Sequence, residues 1–208
     1  MGTVGLVGAG SVGRALGKSL VRAGIPVRYG VRDAGDGTVL EGPAGPTAEL
    51  VGSCDTLLLC VPAPAAVSAL EVLGDGSGMI VVDCTNPLRW DDGPVWAPPP
   101  QGSVAASLAE AYPAARVVKG FNHFGAEIQA SPALPTGAAD ALFASDDQDA
   151  KQVVMELANR MGFAARDCGP LRNAALLENL AVTWIHLSAA GGLGRDFAFQ
   201  IVNRSPAA

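Results

Sequence analysis

The run Val4-Gly5-Leu6-Val7-Gly8-Ala9-Gly10-Ser11-Val12-Gly13 leaves this chain few ways to fold. An apolar, strand-like stretch passes directly into three glycines in G-x-G-x-x-G order, and from there into a helical pattern. Gly8 permits a tight turn, Gly10 lets the backbone approach a pyrophosphate with no Cβ in the way, and Gly13 lets helix and strand pack closely. The N–H groups of Ser11, Val12 and Gly13, without acceptors inside a helix, then face an anion at the positive end of the helix dipole. The helix is amphipathic: Val12, Ala15, Leu16, Leu20 and Ala23 form one stripe, Arg14, Lys18 and Arg22 the other side, and Gly24 supplies a C-terminal cap. Gly8, Gly10, Ser11, Val12 and Gly13 are therefore the expected cradle of a dinucleotide.

Strand-like apolar runs recur at residues 3–7, 26–30, 56–61, 79–83, 116–119, 141–144 and 163–167, mostly with helical patterns between them. This rhythm predicts an α/β protein of Rossmann type, with a doubly wound, mostly parallel sheet covered by helices on both faces. Further helices are expected at 147–161 and 173–190. The proline-rich segment 90–101 reads as a loop, either a cover over a site or a solvent-facing connection. With 208 residues and 49% hydrophobic content, one domain spanning 1–208 is expected. About 40 residues follow the last expected strand, enough for one long helix and a tail, so a substrate would meet the nucleotide domain itself or a second copy. Leu176, Leu177, Leu180, Trp184 and Leu187 of that helix suggest a homodimer; burial within the chain is the competing reading.

A net charge of -6 repels a phosphate backbone and gives no general attraction to anionic membranes. Nucleic acid is thus not expected as a partner, and neither is a membrane, since no signal peptide or spanning segment is found. Cys54, Cys60, Cys84 and Cys168 form no C-x-x-C pair and read as reduced thiols of a cytoplasmic protein. No grouping of His, Cys and acids has metal-ligand spacing. Asp146, Asp147 and Asp149 precede a helix, where capping explains them. His186 lies in an apolar helical stripe and reads as a packing residue.

The end of the second strand identifies the dinucleotide. NAD-preferring proteins place there a carboxylate for the ribose 2′-hydroxyl. This chain has Gly30, then Val31 and Arg32. A guanidinium at that point pairs with the 2′-phosphate of NADP, which favours NADP(H), although Asp33 one residue on would bring back a carboxylate.

Further segments carry a family likeness: Val82-Asp83-Cys84-Thr85-Asn86-Pro87-Leu88, Val117-Val118-Lys119-Gly120-Phe121-Asn122-His123-Phe124-Gly125, Gly169-Pro170-Leu171-Arg172-Asn173 and Trp184-Ile185-His186-Leu187. With the opening turn, they resemble the NADP oxidoreductases dependent on coenzyme F420, a deazaflavin, over nearly the whole length. The resemblance implies about eight strands, a cofactor over their carboxyl ends, and hydride transfer between NADP(H) and the deazaflavin. It also implies that Val61, Pro62, Asn86 and Pro87 border the adenosine and the nicotinamide ribose, and that Asn122 and His123 lie near the nicotinamide. Departures at Asn122-His123 and Arg195-Asp196 fall where the acceptor would sit. They leave two alternatives: an NADPH-dependent reductase of a small imine or carbonyl metabolite, with His123 as proton donor, and a non-catalytic NADP(H)-sensing module.

Overall fold

The computed structural model describes residues 2–32, 39–76 and 78–204. Its centre is a parallel sheet built from β1 (Val4–Val7), β2 (Val27–Gly30), β3 (Ala44–Gly45), β4 (Thr56–Leu59) and β5 (Ile80–Asp83), followed after an antiparallel hairpin, β6 (Leu88–Trp90) and β7 (Pro94–Trp96), by β8 (Arg116–Lys119). The strand order is β3-β2-β1-β4-β5-β8, every pair parallel. Strands covered on both faces carry unbroken apolar runs, and β1 and β4 are buried at all four positions.

Side chains alternating along these strands divide the core in two. One face gathers Leu6, Leu58 and Val82 against Leu16 and Leu20 of α1 (Ser11–Arg22). The other gathers Val7, Leu59 and Val81 against Val104 and Leu108 of α2 (Val104–Ala111). Each buried leucine contributes roughly 1.5–3 kcal/mol relative to exposure, so this division sets which helices lie on which face.

Beyond β8 come α3 (Ala126–Ala130), the short pair β9 (Ala133–Leu134) and β10 (Gly137–Ala138), and β11 (Asp140–Phe143). Then α4 (Gln148–Arg160) leads to β12 (Ala164–Asp167), which pairs in parallel with β11. Lys119 and Ala144 form an antiparallel bridge through N–H···O bonds of 2.8 and 3.1 Å, joining this pair to the edge of the six-stranded sheet. The expected sheet of about eight mostly parallel strands is thus present, with one antiparallel junction. Asp147 caps α4 by accepting from Ala150 N–H at 2.8 Å and pairs with Arg116 at 2.6 Å, as capping required.

Two readings, those of segment 90–101 and of His186, are corrected. Segment 90–101 is not all loop, because Leu88–Trp90 and Pro94–Trp96 pair as a hairpin ahead of the run Pro98-Pro99-Pro100. The last helix, α5 (Ala174–Ala189), buries Leu177, Glu178, Ala181 and Trp184 within the chain while Leu176 stays 61% exposed. His186 is exposed, on the side of α5 away from this buried stripe, and so is not a packing residue. The tail after α5 folds back: Trp184 stacks on Phe197 at 5.1 Å and its indole N–H donates to the Phe197 carbonyl at 2.9 Å.

Candidate functional site

The strand order reverses between β1 and β4, whose loops leave in opposite directions and open a crevice at their carboxyl ends. A cleft of about 920 Å³ lies there, lined by Gly8, Ala9, Gly10, Gly30, Val31, Arg32, Cys60, Val61, Pro62 and the Pro46–Ala48 segment. Gly8 has φ of +102°, and a Cβ on it would lie 2.7 Å from the Cys60 carbonyl oxygen. A Cβ on Gly13 would lie 2.1 Å from the Gly8 carbonyl oxygen, so no other residue lets α1 start this close to the turn. At Gly10 nothing stands within 4 Å of that position: a side chain there would project into the space a ligand enters. No side chain caps α1 and no acid occupies its first turn, so its leading N–H groups present positive charge to the cleft. An absent Cβ at the approach, uncapped amides and no competing carboxylate together fit a pyrophosphate.

Arg32 stands exposed at the rim of this cleft. Gly30 cannot carry a ribose-binding acid, because a Cβ there would lie 2.8 Å from Leu50 Cδ1 and 3.0 Å from both Thr47 Cα and Oγ1. The space an acid would need is already filled by the Thr47–Leu50 turn, a constraint that sequence pattern does not reveal. Asp33 lies outside the described residues.

The remaining predicted residues form a second group. Asn86 and Asn122 clasp each other: Asn86 Nδ2 donates to the Asn122 carbonyl at 2.7 Å, and Asn122 Nδ2 to Asn86 Oδ1 at 2.8 Å and to the Leu177 carbonyl at 3.0 Å. Phe121, the residue before Asn122, has a φ of 54°, costly for a bulky residue, and its ring contacts Phe143 and Phe163 at 5.1 and 5.7 Å. Pro87 lines a hollow of about 300 Å³ with Ala63, Pro64, Val67, Leu88 and Ala97, whose chain neighbours Pro62, Ala65 and Ser68 line the large cleft.

His123 requires a correction. Its ring is fully buried against Phe124, and Nε2 accepts the Leu142 backbone N–H at 3.1 Å. Burial pushes its pKa down to about 4, so at neutral pH it is uncharged and its acceptor nitrogen is occupied. It cannot give a proton to a molecule in the cleft. The same shift predicts a pH dependence of stability. Between the ordinary pKa of about 6.5 and about 4, the unfolded chain binds a proton that the native state refuses. Stability therefore falls as pH drops through that window, by about 3 kcal/mol for this group. In His123→Gln, which keeps an acceptor for Leu142, denaturant melts at pH 7 and pH 4.5 should show a drop about 2–3 kcal/mol smaller than in the parent; an equal drop defeats the assignment.

Sequence reasoning missed the buried ion network beneath the clasp. Lys119 Nζ donates to Asp83 Oδ2 at 2.8 Å, the Thr85 carbonyl at 2.6 Å and Glu178 Oε1 at 3.1 Å, and all three charged side chains are fully buried. Glu178 also accepts from Trp96 Nε1 at 3.1 Å and Val104 N–H at 2.9 Å. A lysine and an aspartate closing the apolar strands Arg116–Lys119 and Ile80–Asp83 were the available signal. Among the described residues no helix is long and apolar enough to cross a membrane, and no His, Cys, Asp and Glu cluster could hold a metal ion.

Residues 3–87 match the family described as NADP oxidoreductase coenzyme F420-dependent. The F420-dependent NADP reductase of Methanothermobacter thermautotrophicus is 29% identical, over 94% of this chain and 92% of its own. Metalloreductase STEAP3 of Rattus norvegicus is 31% identical over 84% of this chain, which spans only 35% of that longer protein. Among solved structures, a provisionally assigned F420-dependent NADP-reductase from Arthrobacter sp. FB24 superposes with a TM-score of 0.85 at 25% identity, covering 96% of this chain and 99% of the other.

Proposed function

Because this chain belongs to the family of coenzyme F420-dependent NADP oxidoreductases, we propose that it binds NADP(H) in the large cleft and transfers a hydride between the nicotinamide and coenzyme F420 or a similar planar acceptor. The observation that carries this reading is the open approach at Gly10, flanked by glycines that tolerate no side chain and followed by uncapped amides.

In this proposal Gly8, Gly10, Ser11, Val12 and Gly13 hold the pyrophosphate, Arg32 pairs with the 2′-phosphate, and Val61 and Pro62 wall the adenosine side. Asn86 and Pro87 border the nicotinamide ribose, and Asn122 positions Asn86 through the clasp. The bound dinucleotide supplies the hydride chemistry. The chain aligns the partners and excludes water, which is what ring-to-ring hydride transfer demands of a protein. That reaction needs stacking and alignment more than a strong acid or base, the one proton it consumes being taken up from solvent at a ring nitrogen of the acceptor, so the burial of His123 is no obstacle to it. Reduction of an imine or carbonyl would need a proton donor, a role His123 does not fill.

The described residues constitute one dinucleotide-binding domain in this reading, working among small molecules in the cytoplasm, a setting that suits four cysteines present as free thiols. The outer face of α5, with Leu176, and the exposed Leu193, Ile201 and Val202 of the tail offer the surface for a homodimer.

Anaerobic mixing of the folded protein with NADPH and oxidised coenzyme F420 should bleach the deazaflavin's visible band. An unchanged band with protein that binds NADPH would reject the acceptor and leave the sensing module as the surviving alternative.

A further inference from the structure

The register of the central sheet brings two thiols together at the floor of the cleft. β4 and β5 pair in parallel, Leu58 opposite Val82 and Leu59 opposite Asp83, so the next residues on each chain, Cys60 and Cys84, fall opposite one another. They also share a face. Cys60 packs with Leu58 and Cys84 with Val82 on the α1 side, whereas Leu59 and Val81 point to the other. Neighbouring strands run ~4.8 Å apart, inside the ~4.4–6.8 Å between Cα atoms that a disulfide spans. The two thiols lie within hydrogen-bonding reach of each other, and burial together with this contact raises the Cys84 pKa.

Their environments differ in a way that assigns roles. Cys60 is half-buried and lines the cleft, its Cβ 3.4 Å from the position a Cβ on Gly13 would take, directly under the phosphate-binding turn. Cys84 is 5% exposed and donates a weak hydrogen bond to the Val82 carbonyl. The other cysteines are remote. Cys54 precedes β4 at the opposite end of the strand and belongs to the other half of the core, and Cys168 follows β12 beyond the sheet's far edge.

We propose that Cys60 and Cys84 form an oxidisable dithiol that closes to a disulfide across the ends of β4 and β5, with a small peroxide as oxidant entering through the cleft. The Cys60 sulfur attacks a peroxide oxygen: an S–O bond forms, the O–O bond breaks, and one water leaves once protonated. The Cys84 sulfur then displaces that oxygen from Cys60; the S–S bond forms and the second water leaves. Two thiols have lost two electrons and two protons, and hydrogen peroxide has become two waters. A dithiol reductant reverses the change. Shielding of Cys60 by a dinucleotide rests on the function proposed above; closure of the disulfide does not.

The test uses the whole protein, treated with hydrogen peroxide in small excess, with and without saturating NADP+. Remaining thiols are then alkylated under denaturing conditions and the peptides mapped by mass. The expected product joins the Cys60 and Cys84 peptides, leaves Cys54 and Cys168 alkylated, and disappears in Cys60→Ser and in Cys84→Ser. NADP+ should slow its formation by about tenfold or more, because Cys60 lines the cleft that the dinucleotide would fill. A Cys60 that proceeds to sulfinic acid while Cys84 remains alkylatable, or a crosslink involving Cys54 or Cys168, overturns the dithiol. A Cys60–Cys84 disulfide formed equally fast with NADP+ present overturns the shielding and counts against dinucleotide binding over Cys60.

Discussion

Lys119→Met should cost about 3–5 kcal/mol of folding stability. The methionine fills nearly the same volume, so packing is not the reason. The fully buried carboxylates of Asp83 and Glu178 would lose the Lys119 ammonium that pairs with both. Even in the parent the group carries one more negative than positive charge. The indole N–H of Trp96, the backbone N–H of Val104 at the start of α2 and that of Thr85 offset the excess. Adding Asp83→Asn and Glu178→Gln to Lys119→Met should recover part of the loss, because neutral amides are far less costly to bury than unpaired carboxylates. The surface pair of Arg89 and Asp91, with side chains 58% and 62% exposed, is the control; Arg89→Met should lose less than about 1 kcal/mol. Denaturant midpoints compare the four proteins. A Lys119→Met loss no larger than that of Arg89→Met would mean that the buried ions do not hold β5, β8, α5 and the hairpin together.

Replacing Arg32 by alanine should weaken NADPH binding about 10- to 100-fold while changing NADH binding by no more than a few-fold, since a charge-assisted pair with a phosphate is worth about 1.5–3 kcal/mol. The expectation rests on placement. Arg32 is at the cleft rim, one residue past Val31, and nothing acidic can replace Gly30 without striking Leu50 and Thr47. The structure thus leaves little room at Gly30 for the ribose-binding acid by which a related fold prefers NADH. Titration calorimetry with both dinucleotides decides the matter: equal losses for NADPH and NADH would remove Arg32 from the 2′-phosphate.

Both predictions bear on how far the residues could be read directly. The cradle was legible because each of its three glycines answers a local demand, and the spacing from strand to helix repeats the geometry it produces. The helices Ser11–Arg22, Gln148–Arg160 and Ala174–Ala189 and the four-residue strands were legible from apolar period alone, within a residue or two at most ends, whereas the two-residue strands Ala44–Gly45, Ala133–Leu134 and Gly137–Ala138 were not. The hairpin Leu88–Trp90 with Pro94–Trp96 was not, since prolines nearby mask so short a pairing. Nor was the burial of His123, which in sequence stands between an asparagine and a phenylalanine like many loop histidines.

The amino-acid order by itself determined the doubly wound α/β class, the position of the phosphate-binding turn and the presence of Arg32 where an acid might have stood, because these depend on contacts a few residues apart. Only the tertiary structure decided that Lys119 reaches Asp83 and Glu178, that Asn86 and Asn122 clasp, that His123 is sealed in the core and that Cys60 faces Cys84. Those outcomes join residues 24 to 59 positions apart, or turn on what surrounds a side chain on every side. Strand register and core packing, which are properties of the assembled sheet, settle them.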